Sequence, residues 1–122
     1  MKNKSAKKYW LCLIIIPFMG LFFATQDYGH AGTLKGADYS YTGALKNGRP
    51  EGIGTMTYTN GNSYTGAFVD GDFSGEGKLV NKVEKWTYTG VFSDGVPDGK
   101  GKMNLPDGTT RAVLFDKGTL VK

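Results

Sequence analysis

The chain has 122 residues, of which 39% are hydrophobic, 13% aromatic and 19 are glycines, and a formal net charge of +4, enough for one small domain and too little for a large single core. The positive excess sits in Lys2, Lys4, Lys7 and Lys8. Residues 32–122 hold 11 Lys and Arg against 10 Asp and Glu, a net charge of +1. A near-neutral domain has no electrostatic footprint for nucleic acid, and the pI near 9.1 is a property of the amino end.

The leading lysines precede an apolar stretch from Tyr9 to Ala24, interrupted only by Pro17 and Gly20. This order is that of a secretory signal. As a helix these residues span roughly 24 Å, short of the roughly 30 Å hydrocarbon core, which favours a cleaved signal over a durable anchor. Gly29 and Ala31 supply the small residues that a cut before Gly32 needs, whereas a cut after Ala24 places Phe22 in a small-residue position. Residues 1–31 therefore read as a signal peptide or a membrane anchor, and both readings place the rest of the chain on the outer face of the cell membrane, on the cell surface or in the medium. Cys12, the one cysteine, lies early in the apolar stretch and not at its end, where a lipidated cysteine would be. About 91 residues remain beyond residue 31, with no thiol, which suits an oxidising exterior.

Residues 32–40 read as a linker and first strand. From residue 41 a pattern repeats: Tyr41, Gly43, Leu45, Gly48, Gly52, Gly54 and Met56 are matched by Tyr64, Gly66, Phe68, Gly71, Gly75, Gly77 and Leu79, and by Tyr88, Gly90, Phe92, Gly95, Gly99, Gly101 and Met103. The units are 41–63, 64–87 and 88–110. In 111–122, a degenerate half-repeat cap, Arg111 and Val113 replace the Tyr and the first Gly, while Phe115 and Gly118 survive. Gly48, Gly71, Gly95 and Gly118 recur every 23 or 24 residues, a period that signifies stacked supersecondary units too small to bury a core alone.

Within each unit the Tyr-Thr-Gly run alternates between two faces of a strand. Asn47-Gly48, Asp70-Gly71 and Asp94-Gly95 come next, and Asn-Gly or Asp-Gly between alternating runs is the strongest short-range hairpin signal. Second strands are expected over Gly54–Tyr58, Gly77–Val80 and Gly101–Leu105. Strand glycines cost roughly 0.5–1 kcal/mol each against Ala, so their density calls for a structural reason. The expected one is an aromatic ring of a neighbouring strand lying over the missing side chain, with Tyr41, Tyr64, Tyr88, Phe68 and Phe92 as the candidate rings. The predicted fold is all-β: a single-layer, elongated solenoid of stacked antiparallel hairpins after an amino-terminal apolar helix.

The unit resembles the MORN (membrane occupation and recognition nexus) repeat, and residues 41–108 fit it with every glycine in register. Two places depart from it. In the second unit the return segment Asn81 to Trp86 is one residue longer and lacks the Asn60-Gly61 or Asp107-Gly108 seen elsewhere, and the fourth unit has lost its Tyr. The resemblance implies assembly with protein partners or with further copies, and membrane or cell-envelope association. The composition adds a limit, since a near-neutral domain lacks the basic patch that binds anionic head groups strongly.

Chemistry of the common enzymatic kinds has no carriers here. His30 is the only histidine and lies beside the expected cut, so no Ser/His/Asp or Cys/His set and no metal-ligand spacing can be drawn, and no cofactor is implied. Asp70, Asp72, Ser74 and Gly75 imitate the start of a calcium loop, but Asn81 stands where the bidentate Glu belongs and the glycines belong to the repeat. The function expected is a non-enzymatic scaffold or protein-interaction module. The alternative is a repeat that binds an envelope glycan or choline-type ligand through aromatic faces, for which Tyr41, Tyr64 and Tyr88 are candidates beside their reading as core. Trp86, in the irregular return, and Tyr39, in the equivalent position two residues before a repeat tyrosine, mark the candidate partner-facing side. The competing reading of Trp86 is that it fills the gap left by the missing Asn-Gly turn.

Overall fold

The computed structural model describes residues 30–122. The expected signal or anchor with its apolar helix, and Cys12, lie outside the described residues. Nine strands run in order: β1 Ala31–Lys35, β2 Tyr39–Lys46, β3 Arg49–Tyr58, β4 Ser63–Val69, β5 Asp72–Asn81, β6 Trp86–Ser93, β7 Val96–Asn104, β8 Thr110–Asp116 and β9 Thr119–Leu120. They form one open sheet in sequence order, antiparallel throughout. No helix among the described residues is long and apolar enough to cross a membrane.

The tips behave as their dipeptides predict. Asn47 and Gly48 have φ of 54° and 75°, Asp70 and Gly71 51° and 90°, and Asp94 and Gly95 49° and 87°. Positive φ at both central residues is the turn whose twist matches the flanking strands. Each tip is also tied to the hairpin before it. Gly71 N–H donates to the Pro50 carbonyl (2.9 Å), Gly95 N–H to Phe73 (3.0 Å) and Gly118 N–H to Pro97 (2.8 Å). Two carboxylates reinforce this stacking: Glu51 accepts from Asp70 N–H (2.8 Å) and Asp98 from Lys117 N–H (3.1 Å).

The second strands are longer than expected, starting directly after the tips at Arg49, Asp72 and Val96. Hydrogen bonding continues because the irregularity is a bulge within the ladder, with the register shifting between Gly43 and Leu45, Gly66 and Phe68, and Gly90 and Phe92. Opposite the next strand, Gly52, Gly75 and Gly99 take φ of 105°, 71° and 123°, which only glycine adopts cheaply and which keeps the return strand in step with the bulge.

The core is a single row of rings on one face. Tyr41, Tyr64, Tyr88, Phe68 and Phe92 are all at most 2% exposed. They interlock edge to face in a zigzag: Tyr41 to Phe68 (5.0 Å), Phe68 to Tyr64 (5.2 Å), Tyr64 to Phe92 (4.9 Å), Phe92 to Tyr88 (5.3 Å) and Tyr88 to Phe115 (5.2 Å). Each contact joins neighbouring hairpins or binds one internally, so the row grows with the repeats as the nearest-neighbour logic of a solenoid requires. The other face is a cross-strand ladder of Thr33, Thr42, Thr55, Thr65, Lys78, Thr89 and Lys102.

Candidate functional site

Each repeat tyrosine serves its own hairpin. A Cβ placed on Gly54 would meet the ring of Tyr41, one on Gly77 the ring of Tyr64 and one on Gly101 the ring of Tyr88. The ring therefore occupies the space that the paired glycines of two adjacent strands leave open. Its hydroxyl then reaches the carbonyl released by the bulge three residues later: Tyr41 donates to Ala44 (2.6 Å), Tyr64 to Ala67 (2.9 Å) and Tyr88 to Val91 (3.2 Å). Burial pushes the phenols of Tyr41, Tyr64 and Tyr88 above their ordinary value, so all three remain protonated donors at neutral pH.

Phe68 and Phe92 differ from the expectation that they also cover glycines. They lie opposite Gly52 and Gly75, yet the atoms nearest a Cβ there belong to Ala44 and Ala67. These two phenylalanines are wedges between tyrosines, and the glycines facing them are required for backbone conformation.

Of the five sequence-derived binding candidates, Tyr41, Tyr64 and Tyr88 thus have their rings enclosed by the sheet. Tyr39 is 37% exposed and Trp86 is half-buried. Both occupy the ring face one step beyond the tyrosine row, Tyr39 opposite Tyr58 and Trp86 opposite Asn81. They stand on β2 and β6, four strand spacings or about 19 Å apart, and the fold does not bring them together. Between them the equivalent position holds Asn62, whose side-chain carbonyl accepts from Lys82 N–H (2.8 Å) and anchors the irregular turn.

That turn is the most exposed departure from the repeat. Asn81 Oδ1 accepts from Glu84 N–H (2.7 Å), Lys85 takes a φ of 63° without being glycine, and Val83 is 62% exposed. Trp86 Nε1 donates to Glu84 Oε1 at 3.3 Å, holding the indole edge toward the turn. Tyr58 was not among the sequence candidates, although it shares an open cleft with Lys35, Ser40, Thr57 and Tyr39. Its signal was present in the same alternation that singled out Met56, two residues before it.

Charged groups cluster at the first tips, where Lys46, Asn47, Arg49, Glu51 and Asp70 line a shallow depression. Arg49 and Asp70 form an ion pair at 2.7 Å, well exposed and therefore worth little to stability. The calcium-like run is part of the same tip: Asp70 precedes Gly71 in the turn and Asp72 opens β5, so its carboxylates flank a hairpin and not a metal loop.

A family model described as the MORN repeat matches residues 41–63, 64–81 and 88–110. The second match stops at Asn81, where the irregular turn begins, and the three together cover just over half of the chain. Such repeats are generally protein- or membrane-interaction modules and a scaffold with no known enzymatic family role. The matched spans hold each repeated Tyr, the paired glycines it covers and the positive-φ tip that follows it, and the chain belongs to the MORN repeat family.

Proposed function

We propose that this protein is a non-enzymatic scaffold displayed outside the cytoplasm, which holds a protein partner against the side carrying Trp86 and the Lys82–Lys85 turn. The supporting observation is that the repeat is broken at one internal place only, and there the chain presents an exposed Val83, a left-handed Lys85 and a half-buried tryptophan together. An insertion in a solenoid maps to one face, often the binding face, and tryptophan is enriched where binding energy concentrates. Binding of an envelope glycan or choline-type group through repeated aromatic faces has less support, since the repeat tyrosines are enclosed and Tyr39 and Trp86 stand apart.

Trp86→Ala tests the reading against gap filling. The expected result is loss of partner capture from an envelope extract with a melting shift well below that of Tyr64→Ala, because Trp86 lies at the margin of the ring row. Early melting with capture retained by the folded fraction would overturn it.

Export rests on the lysine-led apolar stretch and the small residues at 29 and 31. Amino-terminal sequencing of the mature protein is expected to begin at Gly32. Repeats that resist external protease in wall-stripped cells, but are cut after lysis, would rule the topology out.

A further inference from the structure

The first strand belongs to a unit that the described residues do not otherwise contain. In β1, Gly32 pairs with Gly43, Thr33 with Thr42 and Leu34 with Tyr41. This is the register in which Gly54, Thr55 and Met56 of β3 pair with Gly66, Thr65 and Tyr64. β1 therefore has the register of a return strand, and no outgoing strand stands before it among the described residues. At the far end β8 is an outgoing strand, since Arg111, Val113 and Phe115 face Met103, Gly101 and Gly99 as Tyr64, Gly66 and Phe68 face Met56, Gly54 and Gly52. Its return, β9, pairs only as Phe115 with Leu120 and Asp116 with Thr119. Along Thr110–Val113 no strand among the described residues lies on the outer side of β8. The part of a return strand that the described residues do not supply there is the part that β1 represents.

We infer that the protein assembles head to tail with further copies of itself, β1 of one copy completing beside β8 of another the return strand that β9 begins. This deepens the scaffold reading by naming a partner, but it rests on strand register and not on Trp86, so the two fail separately.

The backbone groups agree in parity. His30 carbonyl accepts from Leu45 N–H (3.2 Å) and Gly36 N–H donates to Tyr39 (2.9 Å), so the even-numbered residues of β1 face β2, and Ala31, Thr33 and Lys35 turn their N–H and C=O outward. On β8, Leu114 N–H donates to Lys122 and its carbonyl accepts from Val121, so Thr110 and Ala112 face outward as well. The repeat register, in which Thr42 pairs with Thr55 and Ser40 with Thr57, sets Ala112 opposite Thr33 and Thr110 opposite Lys35. Both pairs join outward-facing residues, which is the condition for ladder hydrogen bonds between chains.

The side chains agree too. Leu120, 53% exposed, stands where Phe73 stands in the second unit, and Phe73 touches the next outgoing phenylalanine, Phe92, at 5.9 Å. In the assembly Leu120 meets Leu45, the first-unit counterpart of Phe92, so both ends of the ring row carry leucine and meet there. Leu120 carbonyl occupies the place from which Pro50, Phe73 and Pro97 accept a tip glycine N–H, and it receives Gly48 N–H of the incoming copy. Val113 provides over Gly32 the apolar cover that Arg111, standing in the tyrosine position, does not. Where His30 is retained it falls on the same register position as Lys122, so the two chains leave the sheet there, and a chain cut before Gly32 keeps the Gly32–Lys35 register that the contact uses. The two surfaces are unlike, which makes the contact heterologous and the product a ring or an open filament, not a closed symmetric pair.

Disulfide trapping tests this in the mature protein, with Cys12 replaced by serine so that no native thiol is present in any chain that keeps its amino end. Cα atoms of directly opposed strand residues lie within the range a disulfide spans. Mixing Thr33→Cys with Ala112→Cys chains is expected to give a cross-linked pair, with neither variant alone cross-linking above background. Thr33→Pro, which removes an outward N–H and leaves the β2 ladder intact, is expected to abolish concentration-dependent assembly in sedimentation at an unchanged melting temperature. Efficient cross-linking by Thr33→Cys alone would show a β1-to-β1 contact and overturn the proposal. So would a chain that sediments as a monomer at every concentration, or a mixture that never cross-links.

Discussion

Tyr64→Ala is expected to lower stability by about 3–5 kcal/mol, the range for removing a fully buried aromatic side chain. Tyr64 lies edge-on to Phe68 and Phe92, is stacked face to face on Phe73 at 3.8 Å and 9°, and bonds the Ala67 carbonyl through its hydroxyl. Phe73 has no counterpart in the flanking units, where Pro50 and Pro97 take its place, so the middle hairpin concentrates the packing. Tyr64→Phe separates the hydroxyl from the ring. It keeps every ring contact and leaves the Ala67 carbonyl at the bulge without its donor, at a cost of about 1–2 kcal/mol. Urea denaturation of the two variants beside Tyr39→Ala, whose ring is partly exposed, provides the scale. If Tyr64→Ala were no worse than Tyr39→Ala, the ring row would not be the core of the sheet.

The hairpins were legible because their determinants are local. Asn47-Gly48, Asp70-Gly71 and Asp94-Gly95 specify the turn by conformational preference alone, and the alternation of Tyr41, Gly43 and Leu45 names the face. The features that escaped the sequence were non-local. The bulge beside Gly43 depends on Tyr41 reaching Ala44 and on Gly52 taking a positive φ across the hairpin, and no single strand shows that. The glycines therefore looked alike, although they divide into those facing a ring, such as Gly54 and Gly77, and those needed for backbone conformation, such as Gly52 and Gly75. The same blindness assigned Phe68 and Phe92 to covering glycines, when their neighbours make them wedges.

For the candidate surface the sequence could locate the broken repeat at Trp86, because a departure from a period is visible without coordinates. It could not show that Tyr39 and Trp86, equivalent in register, are four strands apart, since distance across a sheet accumulates strand by strand. Nor did it reveal that Ala31-Gly32-Thr33-Leu34 repeats the return strand of the later units, since the tyrosine and tip that would have marked a unit there are absent from the described residues before it. Register in the folded sheet, not similarity of residues, made that equivalence visible.

Gly77→Val is expected to cost about 3 kcal/mol, at the upper end of overpacking, while Lys78→Val beside it stays within about 0.5 kcal/mol of the parent. The two positions share a strand and differ in the groups that lie above them. Lys78 is exposed on the threonine face between Thr65 and Thr89, where a β-branched residue suits a strand. Gly77 is buried, and a Cβ there would stand 2.5 Å from Tyr64 Cζ. That ring cannot swing aside, because Phe73 stacks on it and Phe68 and Phe92 flank it. The backbone at Gly77 has no positive φ to forbid a side chain, unlike Gly75 at 71°, so the cost measures the ring alone. Adding Tyr64→Ala to Gly77→Val therefore offers a sharper test than either change by itself. With the ring gone the valine enters the space it vacated, and the double variant is expected to be more stable than the sum of the two losses predicts, by about 1–3 kcal/mol of coupling. Strict additivity in denaturant titrations would place the strain elsewhere and remove the ring as the reason this position holds glycine.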